Sequence, residues 1–280
     1  MEEPGLTIAL IAGVPRSGTT LTCALLNALP GCVALAEPMQ APQHGDAALA
    51  VEQIVAFAEQ TRARLLTEGV APSKTVHGLI ADNFYEEVRT DGAARRTFEV
   101  LSEVRIEKPL APDFRLFIKH PAIFTALAGP LRQRLPLFAI VRHPLAAIAS
   151  WSTVDTAFRH GRWPAAETYA PELGLRLDAI ADPLDRQVAL IQWMFQVYRT
   201  LPQGAVLTYE AIVADPAAAL SPLSGGSLQP DHPIRDLDPA TRYSGVDLKA
   251  LAEALLPIQA DVEPFYPAFA ESLERYAGRR

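Results

Sequence analysis

Two cysteines in 280 residues, Cys23 and Cys32, cannot make a disulfide framework. Both sit inside apolar segments, where cysteine reads as a small core residue more readily than as a ligand or nucleophile. Long hydrophobic runs are missing too. No stretch approaches the roughly twenty apolar residues of a membrane-crossing helix, and the run from Leu6 to Val14 is broken at once by Pro15-Arg16-Ser17-Gly18. The acidic opening Met1-Glu2-Glu3 has the wrong charge for an export signal, so a cytoplasmic protein is expected. An excess of positive charge is absent: 25 Lys and Arg against 32 Asp and Glu leave a net charge of -7, which argues against a broad hold on nucleic acid or anionic lipid. Histidine is sparse, and His77, His143 and His160 lack the short ligand spacing that zinc requires. No metal site is expected, and these three histidines read as structural or solvent-facing.

What is present is a chain 49% hydrophobic, long enough to bury a full core. Leu6 to Ala12 and Cys32 to Ala36 read as strands buried on both faces, separated by a helix over Thr19 to Leu29 that Pro30-Gly31 ends. Further strands are expected at Phe114–Ile118, Leu137–Val141 and Ala205–Thr208, and helices at Ala47–Leu66, Asn83–Val104, Leu184–Thr200 and across Val246–Tyr276. Polar residues follow each strand: Glu37-Pro38, Lys119-His120-Pro121, Arg142-His143-Pro144 and Tyr209-Glu210. Open α/β sheets build a ligand crevice at that edge. The expected fold is a central parallel β-sheet of about five strands flanked by helices, a three-layer sandwich like that of the P-loop nucleoside triphosphatases. One domain is expected over residues 1–280, with a cofactor-binding core at about 5–216 and a helical part at about 240–280. Ser221 to Pro239, rich in Pro, Gly, Ser and Asp, reads as a loop inside it.

Gly13-Val-Pro-Arg-Ser-Gly18-Thr19-Thr20 has the glycine spacing of a phosphate-binding loop between a strand and a helix. Backbone amides backed by a helix dipole cradle an anion there. Where ATPases need a lysine this chain has Thr19, and the cation has moved into the loop as Arg16 beside Ser17 and Thr20. That suits a terminal group with less charge than a triphosphate.

Pro15-Arg16-Ser17-Gly18-Thr19-Thr20 resembles the 5′-phosphosulfate loop of the sulfotransferases that use 3′-phosphoadenosine 5′-phosphosulfate. Arg142-His-Pro-Leu-Ala-Ala-Ile-Ala-Ser150 resembles the same family's 3′-phosphate site, in which the Arg and Ser grip the phosphate together. Val206-Leu-Thr-Tyr-Glu-Ala-Ile-Val-Ala-Asp-Pro216 is similar to a late strand and turn of that family, where its role is mostly structural. The resemblance implies sulfuryl transfer to a hydroxyl or amine without a metal. By it Pro15 to Thr20, Arg142 and Ser150 bind the cofactor, with Arg242 the nearest match to a C-terminal cofactor loop. It also implies that Arg16 and Lys119 act on the group in flight and the leaving phosphate.

Two bases remain open. Glu37 stands where bacterial and Golgi-type members carry a catalytic Glu, while His120 lies one position early against the Lys-Thr-His pattern of the soluble animal branch. Glu37 ranks first. Around the acceptor, the segments 38–64 and 158–176, with Trp151, Phe158, Trp163 and Tyr169, suggest an apolar wall for an aromatic or lipid-like small molecule. A homodimer is left open. The competing readings are an ATP-dependent phosphotransferase on the same loop and a cofactor-binding protein without turnover.

Overall fold

The computed structural model describes residues 6–40, 44–86, 94–224, 243 and 245–277. Its centre is a five-stranded parallel sheet. The strands are β1 (Ile8–Gly13), β2 (Cys32–Ala36), β5 (Arg115–Lys119), β6 (Leu137–Val141) and β7 (Val206–Thr208), in the spatial order β2-β5-β1-β6-β7. A separate antiparallel hairpin joins β3 (Val70–Thr75) to β4 (Val100–Arg105).

The near-continuous apolar runs behave as strands covered on both faces should. Because side chains alternate across a strand, Ala9, Ile11, Cys32, Ala34, Phe117 and Ile140 face one layer, built from α1 (Thr19–Asn27), α9 (Tyr209–Ala214) and α10 (Pro216–Ser224). Leu10, Ala12, Val33, Leu35, Leu116, Ile118, Ala139 and Val141 face the opposite, larger layer. That layer holds α2 (Ala47–Glu68), α3 (Pro121–Ala126), α5 (Pro144–Trp151) and α8 (Pro183–Tyr198). Beyond them α11 (Leu248–Leu255) and α13 (Phe269–Ala277) complete the core with Leu251, Leu255, Phe269 and Leu273. Cys23 and Cys32 are free and buried, and burial pushes the Cys23 thiol up to about 12.

Helix punctuation follows local chemistry. Asp46 caps α2 by accepting from the Leu49 amide at 3.0 Å, and Gly69 ends the helix in the left-handed region at φ 68°. Asp182 caps α8, with Pro183 pre-set at the first helical position. None of the helices among the described residues is long and apolar enough to cross a membrane.

The helix expected over Asn83–Val104 is not formed. Tyr85 and Thr97 meet in an isolated antiparallel bridge, and Val100–Arg105 is β4; residues 87–93 lie outside the described residues. β-branched Thr97, Val100 and Val104 favour extended backbone, and pairing with Val70–Thr75 supplies the ladder. The partner strand β3 escapes the sequence reading because Pro72, Ser73, Lys74 and Thr75 look like loop; only its alternating burial declares it. The segment 47–64 is not an acceptor wall either, since it forms α2 and buries Ala50, Val51, Ile54 and Ala58 in the core.

Candidate active site

The C-terminal ends of β1, β2, β5 and β6 share one edge, where Ile11 pairs with Lys119, Ala36 with Lys119, and Gly13 with Ile140. From β1 the chain turns toward β2 and β5 and then crosses to β6 on the other side, so the sheet opens a crevice at this switch point. A cavity of about 600 Å³ fills that crevice.

The loop after β1 forms one wall, with Pro15, Arg16, Gly18, Thr19 and Thr20 on the cavity. Gly18 begins α1 at φ 86°, and a Cβ there would meet Cδ2 of Tyr209 at 2.6 Å. Only glycine lets the loop pass under that ring. Ser17, fully buried, spends its hydroxyl on the Ile140 carbonyl at 2.7 Å, so it pins the loop to β6. The Trp151 indole N–H donates to the Pro15 carbonyl at 2.8 Å, which makes Trp151 a core strut and not part of the acceptor wall. Tyr169 packs against His44 outside the cavity, whereas Phe158 and Trp163 do line it.

Arg16 takes a left-handed backbone at φ 68°, lays its guanidinium 4.1 Å over the Tyr85 ring, and donates from Nε to the Ser150 hydroxyl at 3.3 Å. It is lowered to about 10, chiefly by burial, with the nearby cations Arg95 and Arg142 adding to the fall and Tyr85 and Tyr243 opposing it. Arg142 stacks 4.5 Å from the Tyr209 ring centre, and its Nη1 lies 3.3 Å from the Arg16 carbonyl and 3.5 Å from the Tyr243 hydroxyl. Its Nε is buried without a partner. Ser150 is thus joined to Arg142 through Arg16, and α5 carries it into the core. Arg242, the expected C-terminal contact, lies outside the described residues.

The cavity is also lined by the titratable side chains of Glu37, Lys119 and His120. Glu37 leaves β2 with φ 45°, and among the described residues only Arg16, Glu37 and His77 are non-glycine residues at positive φ. Such strain persists where surrounding bonds over-determine a residue. Here the Glu37 amide donates to the Lys119 carbonyl at 2.6 Å, its Oε1 accepts from Lys119 Nζ at 2.8 Å, and its Oε2 accepts from Lys74 Nζ at 2.7 Å. Burial alone would push this carboxyl up, but Lys119, Lys74 and the neighbouring His120 outweigh it and hold it well below the ordinary carboxylate range. Lys119 is buried almost completely, 5.0 Å from the Phe84 ring centre. His120, also buried, is lowered to about 4 chiefly by desolvation, against the pull of Glu37, and its Nδ1 has no partner. It is therefore neutral at neutral pH.

The sequence model of the sulfotransferase family matches residues 9–224, which include the whole of this edge. The chain belongs to the sulfotransferase family. No curated protein matches it. Among solved structures, the sulfotransferase domain from the curacin biosynthetic pathway is similar at 15% identity, covering 93% of this chain and 99% of that one, with a TM-score of 0.42. The sulfotransferase domain from the Synechococcus PCC 7002 olefin synthase stands at 17%, 98% and 97% covered, and 0.39. Sulfotransferase STF9 from Mycobacterium avium stands at 12%, 94% and 77% covered, and 0.40. These likenesses are too distant to carry substrates or residue roles across.

Within this sulfotransferase chain the fold adds residues that sequence reading missed. Lys74, Phe84, Tyr85 and Glu99 come to the cavity from the hairpin and its connection, and Arg95 joins the arginines by donating to Thr153 Oγ1 at 2.9 Å. Tyr209-Glu210 does more than turn the chain. Tyr209 seats both Gly18 and Arg142, and Glu210 accepts from the His143 amide at 3.0 Å, tying α9 to the start of α5. His143 itself is buried against Tyr266 and Phe269, with Nε2 2.7 Å from the Ser272 hydroxyl. Among the described residues no group of three or more His, Cys, Asp or Glu is placed to hold a metal.

Proposed function

We propose that this chain binds 3′-phosphoadenosine 5′-phosphosulfate across the loop after β1 and the end of β6, and transfers its sulfuryl group to a hydroxyl or amine with Glu37 as the base. The observation that carries the reading is the grouping of the buried Arg95 and Arg142 around the half-buried Arg16 of a glycine loop at a helix start. Arg95 and Arg142 both add to the lowering of Arg16, and an anion among the three guanidinium groups relieves their repulsion. The residues present fit such a ligand. The first amides of α1 have no preceding turn to bond to, Thr19 and Thr20 border the cavity, and Arg142 keeps a buried Nε free for a phosphate oxygen. Pro15, Gly18 and Ser17 shape the loop; Ser150 orients Arg16 from behind.

When bound, the donor supplies a sulfuryl group whose bond to the phosphate oxygen breaks as a new sulfur–oxygen or sulfur–nitrogen bond to the acceptor forms. Glu37 accepts the acceptor's proton. A carboxylate clasped by two ammonium groups is a weak base, so proton acceptance depends on loosening one of them. Lys119 is the candidate, because an anion at the loop competes for its ammonium while Lys74 still orients the carboxylate. Arg16 and Lys119 then face the charge that gathers on the leaving phosphate. His120, neutral and with an open Nδ1, is the alternative proton acceptor.

Calorimetric titration with adenosine 3′,5′-bisphosphate, with ADP in parallel, tests the donor. A clear preference for the bisphosphate is expected. Equal binding, preference for ADP, or no binding would withdraw the donor assignment.

A further inference from the structure

Six buried polar side-chain atoms among the described residues have no hydrogen-bond partner, and four of them, Glu99 Oε2, His120 Nδ1, Arg142 Nε and Thr156 Oγ1, belong to residues that line the cavity at the sheet edge. A buried polar atom without a partner is costly, so a cavity that gathers four is shaped for a ligand that supplies what is missing. Arg142 belongs to the donor end. The others stand on the acceptor side, and their chemistry restricts the acceptor.

Glu99 Oε1 lies 3.4 Å from Lys74 Nζ, and the same ammonium holds Glu37 at 2.7 Å. The proposed base and Glu99 are therefore one lysine apart. An ionised carboxylate only accepts hydrogen bonds, and a neutral imidazole presents one accepting nitrogen. His120, buried and neutral, lines the cavity, and with the proton on Nε2 its partnerless, buried Nδ1 is the accepting nitrogen. Two accepting atoms, Glu99 Oε2 and His120 Nδ1, thus wait for O–H or N–H groups beside the carboxylate that takes the reacting proton. The same cavity is lined by the aromatic rings of Phe84, Tyr85, Phe158 and Trp163. With Arg16 and Arg142 given to the donor and Lys74 and Lys119 paired to Glu37 and Glu99, Asp82 leaves the acceptor side without a spare cation, which disfavours an anionic acceptor.

Resting on the sulfotransferase reading, we propose that the acceptor is a non-anionic, ring-bearing apolar alcohol with a second hydroxyl or amino group next to the one that is sulfated, and that Glu99 binds this second group. Only the first hydroxyl reacts. Its oxygen gains the bond to sulfur, the bond from sulfur to the donor phosphate breaks, and its proton passes to Glu37. The second group keeps its proton and serves to place the first.

The test uses the full chain, labelled donor and three probes: catechol, phenol, which lacks the second group, and guaiacol, in which it is capped by methyl. A site built around a substrate hydroxyl rejects analogues that lack it by large factors. Catechol is expected to exceed both others by about tenfold or more in kcat/KM. In Glu99→Ala that ratio should fall to within about twofold, and Glu99→Gln, which keeps one accepting oxygen, should lie between. The ratio is read because any loss of rate through Lys74 affects all three probes alike. Equal turnover of the three by the native chain, or a preference that survives Glu99→Ala, overturns the proposal. If none of the three is sulfated while adenosine 3′,5′-bisphosphate binds, the acceptor class is wrong and the donor reading stands. If the bisphosphate also fails to bind, the donor reading falls first and takes this proposal with it.

Discussion

Glu37→Gln isolates what the clasped carboxylate does. The native side chain accepts from Lys119 at 2.8 Å and from Lys74 at 2.7 Å, with Lys119 only 2% exposed and Glu37 22% exposed. Glutamine keeps one accepting oxygen, so one of the two lysines loses its bond to this side chain, Lys74 still having Glu99 at 3.4 Å. A hydrogen bond to a charged group is worth about 1.5–3 kcal/mol, and the Lys74 side is partly screened by solvent. The expected destabilisation is therefore about 2 kcal/mol, a drop in Tm of roughly 4–8 °C for a chain of this size. Binding of adenosine 3′,5′-bisphosphate should be undiminished, because Glu37 and the anion compete for Lys119. Transfer should slow by about a hundredfold or more, close to 2.7 kcal/mol in the barrier. Calorimetry, a thermal melt and turnover of labelled donor separate the three quantities. Normal turnover by a variant that binds the bisphosphate would refute the argument and pass the base role to His120.

The other predictions concern the anion site and pH. Arg142→Ala should weaken bisphosphate binding by about 2 kcal/mol, near thirtyfold, as loss of a charge-assisted partner does; unchanged affinity in a titration would remove Arg142 from the site. Gly18→Ala places a Cβ 2.6 Å from the Tyr209 ring at a residue with φ 86°. Strain of about 1–2 kcal/mol and a displaced Tyr209 should weaken the same binding by about tenfold, and native affinity would show that the loop yields more freely than its packing implies. His120 and His143 are each lowered to about 4, first by burial, with Lys119 and Lys74 adding to it at His120 and Arg275 and Arg142 at His143. Both folded values are depressed below the unfolded value of about 6.5. Their stabilisation is therefore complete above that pH and lost as the pH falls toward 4, at about 3 kcal/mol each. Tm should decline across that window and the decline should shrink in the His120→Gln, His143→Gln double variant; a flat profile in the native chain would contradict it.

Much of the cavity edge is legible before any folding. Buried parallel strands announce themselves as short apolar runs, and the residues just past each run, Glu37, Lys119 and Arg142, must fall on one edge once the strands are parallel. The loop from Gly13 to Thr20 is legible for the same reason: its glycines and its place between strand and helix are local properties. Side-chain commitments are different. Nothing in Ser17 tells that its hydroxyl goes to Ile140, or in Trp151 that its indole braces Pro15, because both partners lie more than a hundred residues away.

The hairpin shows the limit most plainly. Val70-Ala-Pro-Ser-Lys-Thr75 has no periodicity that a one-dimensional reading can separate from loop, and its partner Val100–Arg105 was expected to be helical. A two-stranded antiparallel pair draws its stability from cross-strand neighbours, which exist only after the chain has returned. From that pairing come Lys74 and Glu99, and with them the ammonium that joins the proposed base to the acceptor side of the cavity. The sequence by itself determined the layered sheet, the glycine loop between strand and helix, and the family, since these rest on contiguous residues. Only the tertiary structure decided that Glu37 is clasped by two lysines and which buried atoms are left without partners, because those are energies between residues far apart along the chain.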